Sequence, residues 1–154
     1  MDNPIWQLED VCLQGATRRR IDAATLVIGP GVTAITGASG AGKTSLLHLL
    51  VGFEQPDTGR LGFHVPDNGQ CTPLFWSPQD GGLWPHLSVR EHLEAVIPSD
   101  NRDRVHQLLE VFDLASRSDA HPDHLSQGQR SRLSVARALI SDARVLVLDE
   151  PLAH

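Results

Sequence analysis

The sequence predicts an α/β protein with a parallel core, and three observations carry that prediction. A β-branched apolar run, VTAIT at residues 32–36, leads straight into a glycine-rich loop. The loop is followed by a helical stretch, SLLHLLVGF. A second apolar run, VLVL at residues 145–148, follows several amphipathic helices and ends in two carboxylates. Parallel strands need long crossover connections, usually helical, and strand, loop, helix and strand in this order meet that need.

Each element has a local reason. Residues 5–13, IWQLEDVCL, alternate as a strand does. Residues 24–28, ATLVI, read as a second strand, closed by the turn GPG at 29–31. Residues 32–36 read as a buried strand. The helix after the loop starts near Lys43 and stops at Gly52, with Leu46, Leu47, Leu49 and Leu50 as core. Residues 55–86 are rich in Pro and Gly and hold short strands such as LGFHV and TPLFW.

From Ser88 the pattern turns helical. Ser88 and Glu91 have capping-box spacing, and Val89, Leu93, Val96 and Ile97 share a face. After PSDN, Val105, Leu108, Leu109 and Phe112 fall at i, i+3, i+4 and i+7. A third helix follows Leu125 and carries Leu133, Ala136, Leu139 and Ile140. The expected organisation is one domain over residues 1–154, with a helical subdomain at roughly 84–130.

Bulk composition narrows the class. The chain has 154 residues, 40% hydrophobic and 21% charged, enough for a globular core. A net charge of −6 argues against a broad nucleic-acid surface. The local basic clusters, Arg18 to Arg20 and Arg130, Arg132 and Arg137, read as solvated faces. Cys12 and Cys71 are far apart, which supports neither a zinc site nor a disulfide scaffold and fits a reducing compartment. No signal peptide is expected from MDNPIWQLED. No apolar run approaches membrane-span length, so any tie to a membrane is expected through a partner.

Three motifs carry chemistry. Gly37-Ala38-Ser39-Gly40-Ala41-Gly42-Lys43-Thr44 matches G-x-x-x-x-G-K-[ST] in full. Glycines let the backbone wrap close to phosphate, and the following helix adds its positive end. The Lys43 ammonium can reach β- and γ-phosphates, and the Thr44 hydroxyl can ligate Mg²⁺. Asp149 and Glu150 end an apolar strand, where one carboxylate can hold Mg²⁺ and its neighbour can polarise water. Without the phosphate loop, the pair would read as an acidic cap before Pro151. In LSQGQRSRL, residues 125–133, Ser126 and Gln129 have capping-box spacing and Gly128 leaves the backbone bare. A helix start of that kind suits an anion, although alone it is more often only a cap.

Taken together, the motifs resemble the ATP-binding subunit, or nucleotide-binding domain, of an ABC transporter. GASGAGKTS, Gly37 to Ser45, resembles the Walker A loop, and SPQD places Gln79 at the Q-loop glutamine. LSQGQ resembles the signature LSGGQ, and VLVLDEP resembles Walker B. The resemblance implies a P-loop NTPase (RecA-like) core with an N-terminal β subdomain, a helical insert and a missing C-terminal part. It implies ATP and Mg²⁺ as cofactors: residues Gly37, Ala38, Ser39, Gly40, Ala41, Gly42, Lys43, Thr44 and Ser45 cradling ATP, and Thr44, Gln79 and Asp149 at Mg²⁺. It implies Glu150 as general base, assisted by Gln79 and Lys43. Ser126, Gly128 and Gln129 would meet the γ-phosphate held by a second ATP-binding subunit in a head-to-tail dimer.

The implied setting is the cytoplasmic face of a membrane, on integral-membrane permease subunits. The importer type is favoured, with a solute-binding protein as further partner and no nucleic acid. A soluble ATPase of the same kind acting on ribosomes or DNA is the competing reading, disfavoured because Gln79 to Leu125 holds only two short helices. An inactive nucleotide-binding fragment is a third.

Departures from the family pattern matter. Gln127 stands where the signature has its third-position glycine. CLQGATRRR lacks the aromatic that stacks on adenine, and Trp6 lies too early to serve. The D-loop aspartate and switch histidine are missing, and His154 falls at the start of the D-loop, so the expectation is a fragment truncated after Walker B that turns over poorly alone.

Overall fold

The computed structural model describes residues 3–65, 72–98 and 101–151. Cys71 and His154 lie outside the described residues. The chain packs into two compact units, residues 1–66 and 67–154.

The first unit is an antiparallel sheet carrying one helix. Its elements are β1 (Trp6–Gln14), β2 (Arg19–Ile28), α1 (Lys43–Leu50) and β3 (Thr58–Phe63). The strand order is β2-β1-β3, with Trp6 opposite Ile28 on one side and Phe63 on the other. β1 buries Trp6 and Leu8, then Val11 and Leu13, so the alternation slips by one residue between them. The slip is a bulge. Asp10 takes a left-handed conformation, φ 48°, and the pairing shifts register between Leu8 and Val11. Gly59 faces the bulge with φ 88°, and a Cβ there would sit 2.4 Å from the Asp10 carbonyl oxygen. Only glycine allows that approach.

Helix α1 is tied to the sheet by Trp6, whose indole Nε1 donates to the Leu50 carbonyl at 2.9 Å. Trp6 is core, as its early position requires. Leu47, Leu49 and Leu50 are buried and Leu46 is half-buried. Gly52 ends the helix with φ 73°, its N–H bonding Leu49, while the Phe53 N–H bonds His48.

Residues 32–36 depart from expectation. They form no strand and no buried core, and Val32 is fully exposed. β-branched residues favour an extended backbone, but a strand exists only where a neighbour completes its ladder. Among the described residues no strand pairs with this run.

The second unit holds β4 (Leu74–Ser77), α2 (Val89–Glu94), α3 (Arg102–Val111), α4 (Gln127–Ile140) and β5 (Val145–Leu148), with short 3₁₀ turns at Ala115–Arg117 and Pro122–His124. β4 and β5 are parallel, Leu74 opposite Val145 through Ser77 opposite Leu148. Val145 and Val147 are buried, whereas Leu146 is exposed, so β5 is covered on one face only. The predicted helical stretch at roughly 84–130 falls within this unit.

Both predicted capping boxes form. Ser88 Oγ accepts from the Glu91 N–H and Glu91 accepts from the Ser88 N–H; Ser126 and Gln129 reciprocate likewise. The core joins Val89 and Leu93 of α2, Val105 and Leu109 of α3, and Leu133, Ala136 and Ile140 of α4. Leu139 is not part of it, being 44% exposed. Arg137, 5% exposed, takes the inward place. The spacing explains the exchange: 133, 136, 137 and 140 make an i, i+3, i+4, i+7 face, and Leu139 lies off it. Arg137 is therefore no solvated basic residue. Among the described residues, no helix is long and apolar enough to cross a membrane.

Leu133→Ala is expected to destabilise the chain by about 2–5 kcal/mol, and Leu139→Ala by well under about 1 kcal/mol. Urea denaturation of both variants checks this, and equal losses would contradict the assigned inner face.

Candidate functional site

The glycine-rich loop lies in the first unit. Gly40 and Gly42 have φ 77° and 92°, and a Cβ on Gly42 would lie 2.6 Å from the Arg20 carbonyl oxygen. The loop therefore passes too close to β2 for any larger residue. Helix α1 begins immediately after it, at Lys43, with no side chain capping its start. Its first amides have no carbonyl one turn earlier to bind, and the first helical bond is Leu46 N–H to Gly42 O. Thr44, Ser39 and Ala41 are exposed, while Lys43 and Ser45 are half-buried.

Lys43 folds back over its own loop. Its Nζ donates to the carbonyls of Gly37 at 3.0 Å and Ala38 at 3.1 Å. Both acceptors are neutral, and a phosphate oxygen would be a stronger partner for the same ammonium. The loop is anchored from behind by Arg20, whose guanidinium pairs with both Glu54 oxygens. His48 of α1 also reaches Glu54, at 2.9 Å. Arg20, chiefly, and His48 lower the Glu54 carboxyl to about 2. Arg20, read from sequence as part of a solvated triplet, is thus a fixed partner of the helix end.

The carboxylates lie in the second unit. The Asp149 N–H donates to the Ser77 carbonyl at 3.0 Å, which carries the β4–β5 ladder one residue past β5 and buries Asp149 at its end. Glu150 then turns left-handed, φ 49°, a rare conformation for a residue with a side chain. The turn brings Glu150 to Gln79, whose Nε2 donates to Glu150 Oε2 at 2.8 Å. These residues border a cleft of about 300 Å³, open mouth included, which also meets Ser131, Arg130 and Gln127 of α4.

Ser126, Gly128 and Gln129 lie beside this cleft at the start of α4. Ser126 is exposed, and its hydroxyl and the Gln129 amide are engaged with each other in the cap. A Cβ at Gly128 would meet nothing within 4 Å, so this helix start is open to a partner. Gln127 is exposed at the cleft rim.

Arg137 and His92 support the cleft; the sequence read Arg137 as a solvated basic residue and did not single out His92. Arg137 Nη1 donates to the Gly82 carbonyl at 2.7 Å, and the guanidinium lies 4.4 Å from the Trp84 ring centroid. His92 is fully buried and accepts the Trp84 N–H on Nε2 at 2.9 Å. Its proton is therefore on Nδ1, donated to the Ser88 carbonyl at 2.7 Å. Burial foremost, then the nearby Arg137 and His86 charges, lower its pKa. The one signal in the sequence was the i, i+4, i+7 spacing that places Arg137 between the core residues Leu133 and Ile140.

A sequence model of the ABC transporter family matches residues 23–153. The spermidine/putrescine import ATP-binding protein PotA of Pseudomonas aeruginosa is 34% identical over 164 residues, covering 99% of this chain and 45% of that protein. The molybdenum import ATP-binding protein ModC of Paramagnetospirillum magneticum is 37% identical over 144 residues, covering 83% and 39%. The probable sulfate/thiosulfate import ATP-binding protein CysA of Chlorella vulgaris is 34% identical, covering 95% and 66%. The chain thus spans less than half the length of the first two relatives. Among solved structures, a bacterial Atm1-family ABC exporter with ATP bound superposes at TM-score 0.82 and 22% identity, over 97% of this chain and 30% of that one. An ATP binding subunit of an ABC transporter gives 0.76 at 19%, over 96% and 67%. These likenesses establish the α/β P-loop NTPase fold.

The buried neutral His92 makes stability pH-dependent. Its folded pKa lies below the ordinary 6.5, so the unfolded chain binds the proton more readily. The contribution is complete above that value and is lost as pH falls through it toward the folded pKa. Urea midpoints at pH 7.5 and 5.5 are expected to fall in the native chain and to fall less in His92→Gln. An equal fall in both would contradict a neutral buried His92.

Proposed function

Because the chain belongs to the ABC transporter family, we propose that it is an ATP-binding and ATP-hydrolysing subunit that powers solute import through a membrane permease. One observation carries the reading: a glycine loop opens onto the uncapped start of α1, with an ammonium held, among the described residues, by the loop's own carbonyls. Such a loop suits a polyphosphate, because the charged group exchanges weak acceptors for strong ones when phosphate arrives.

Each candidate residue then has a task. The backbone from Gly37 to Ser45 wraps the phosphates, and Lys43 moves from the Gly37 and Ala38 carbonyls onto phosphate oxygen. In the first unit Thr44, and in the second Gln79 and Asp149, offer oxygen donors of the kind that would hold Mg²⁺, which offsets phosphate charge when bound. Glu150 takes the proton of the attacking water on Oε1, and Gln79 orients the carboxylate by donating to Oε2. Ser126, Gly128 and Gln129 offer the open start of α4 to the γ-phosphate of a second, facing subunit. The import direction rests on the relatives, which are named import ATP-binding proteins. Permease subunits, a partner ATP-binding subunit and a solute-binding protein are the proposed assembly, on the cytoplasmic face of the membrane.

Titration with a fluorescent ATP analogue tests the loop. Lys43→Ala removes a charge-assisted contact of about 1.5–3 kcal/mol and is expected to weaken binding about 10- to 100-fold. Glu150→Gln is expected to bind as the native chain does. Undiminished binding by Lys43→Ala would overturn the assignment of the loop.

A further inference from the structure

Arg137 is buried, and no carboxylate pairs with it among the described residues. A buried charge is costly unless its hydrogen bonds are met. Here backbone carbonyls meet those of one nitrogen, Nη1, while Nε is buried without a partner among the described residues. Nη1 donates to Gly82 at 2.7 Å and lies 3.4 Å from the Gly81 carbonyl. The guanidinium also lies over the rings of Trp84, at 4.4 Å, and Phe75, at 5.7 Å. Gly81 and Gly82 have φ 78° and 55°, so two consecutive left-handed residues turn their carbonyls to one donor. One turn earlier on α4, the Ser134 hydroxyl bonds that of Ser77 and reaches the Gly81 carbonyl at 3.4 Å. Beyond the turn, the Trp84 N–H is held by His92 of α2.

Gln79 thus sits in a loop fixed on both sides, at Ser77 before it and at Gly81 and Gly82 after it. Both fixings come from the same face of α4. That helix starts at the candidate γ-phosphate-facing residues, and Arg137 lies about 15 Å along it from Gln127 at 1.5 Å per residue.

We propose that Arg137 is a positioning residue: by holding the Gly81 and Gly82 carbonyls it sets the reach of Gln79 to Glu150 and carries displacement of α4 to that pair. A rigid helix bonded to the loop's backbone moves the loop with it. A guanidinium suits this task better than an ammonium, because its flat group lies against the Trp84 ring while one of its nitrogens reaches both carbonyls. The role, though not the geometry, rests on reading Gln79 and Glu150 as the groups that handle the attacking water.

The Gln79 side-chain amide reports the contact directly by NMR and needs no nucleotide. Its signal is identified by its loss in Gln79→Ala, and its unbonded position by Glu150→Ala. Arg137→Gln is expected to move the signal to that unbonded position and to speed its exchange with water at least tenfold, with the Leu93 and Leu133 methyl signals unchanged. If Arg137→Gln does not fold, Arg137→Lys carries the test, since it keeps the charge but loses the planar group over Trp84 and its reach to the two carbonyls, and the same shift is expected. A Gln79 signal that keeps its native position in the folded variant would overturn the proposal. Nucleotide binding at Lys43, measured separately, decides the functional reading, so the two can fail independently.

Discussion

Among the described residues Arg137 is a guanidinium buried without a carboxylate and held by backbone carbonyls and ring faces, and the second unit is arranged around that constraint. Arg137 lies on the inner face of α4 between Leu133 and Ile140, so the helix cannot bury its apolar stripe without burying the charge. The cost is offset in part by a double left-handed turn at Gly81 and Gly82, which turns two carbonyls to Nη1 and which only glycines adopt without strain. That turn fixes the loop containing Gln79. Trp84 and His92 close the same network, and the imidazole is kept neutral by its burial and by the cation nearby. Packing, electrostatics and site geometry therefore share one set of residues.

The carboxylates depend on a second constraint, the end of a parallel ladder. β5 runs beside β4, and its ladder continues to Asp149 through Ser77. Glu150 has to leave the ladder, and its left-handed backbone is how it does so. Adjacent residues with opposite fates, one buried and one turned to the cleft, suit different tasks. In the first unit the loop has an analogous division. Gly42 is pressed against Arg20, which faces the other way to hold Glu54, while Lys43 is free to change partners on the open side.

Much of this was legible in the sequence. Both capping boxes were, because Ser88 with Glu91 and Ser126 with Gln129 encode a closed set of local hydrogen bonds. Strand β5, the start of α1 at Lys43 and its end at Gly52 were legible for similar local reasons. What failed depends on distant chain. Residues 32–36 have the composition of a buried strand, but composition does not supply the neighbouring ladder. Arg137 was read as solvated from its charge alone, whereas helical angle puts it on the inner face and leaves Leu139 off it. The bulge at Asp10 was hidden because Gly59, which allows it, lies far along the chain. The pairing of Arg20 with Glu54 spans 34 residues and has no local signature.

The central claim is that the loop at Gly37 to Thr44 exchanges its own carbonyls for the phosphates of ATP at the Lys43 ammonium. The most direct measurement is a ¹⁵N–¹H NMR titration of the chain with ATP and Mg²⁺. The account predicts the largest shifts at the amides of Gly40, Gly42, Lys43 and Thr44, with the Lys43 Nζ signal moving as it leaves Gly37 and Ala38. Saturable shifts confined to other residues, with the loop amides and Lys43 Nζ unmoved, would contradict it.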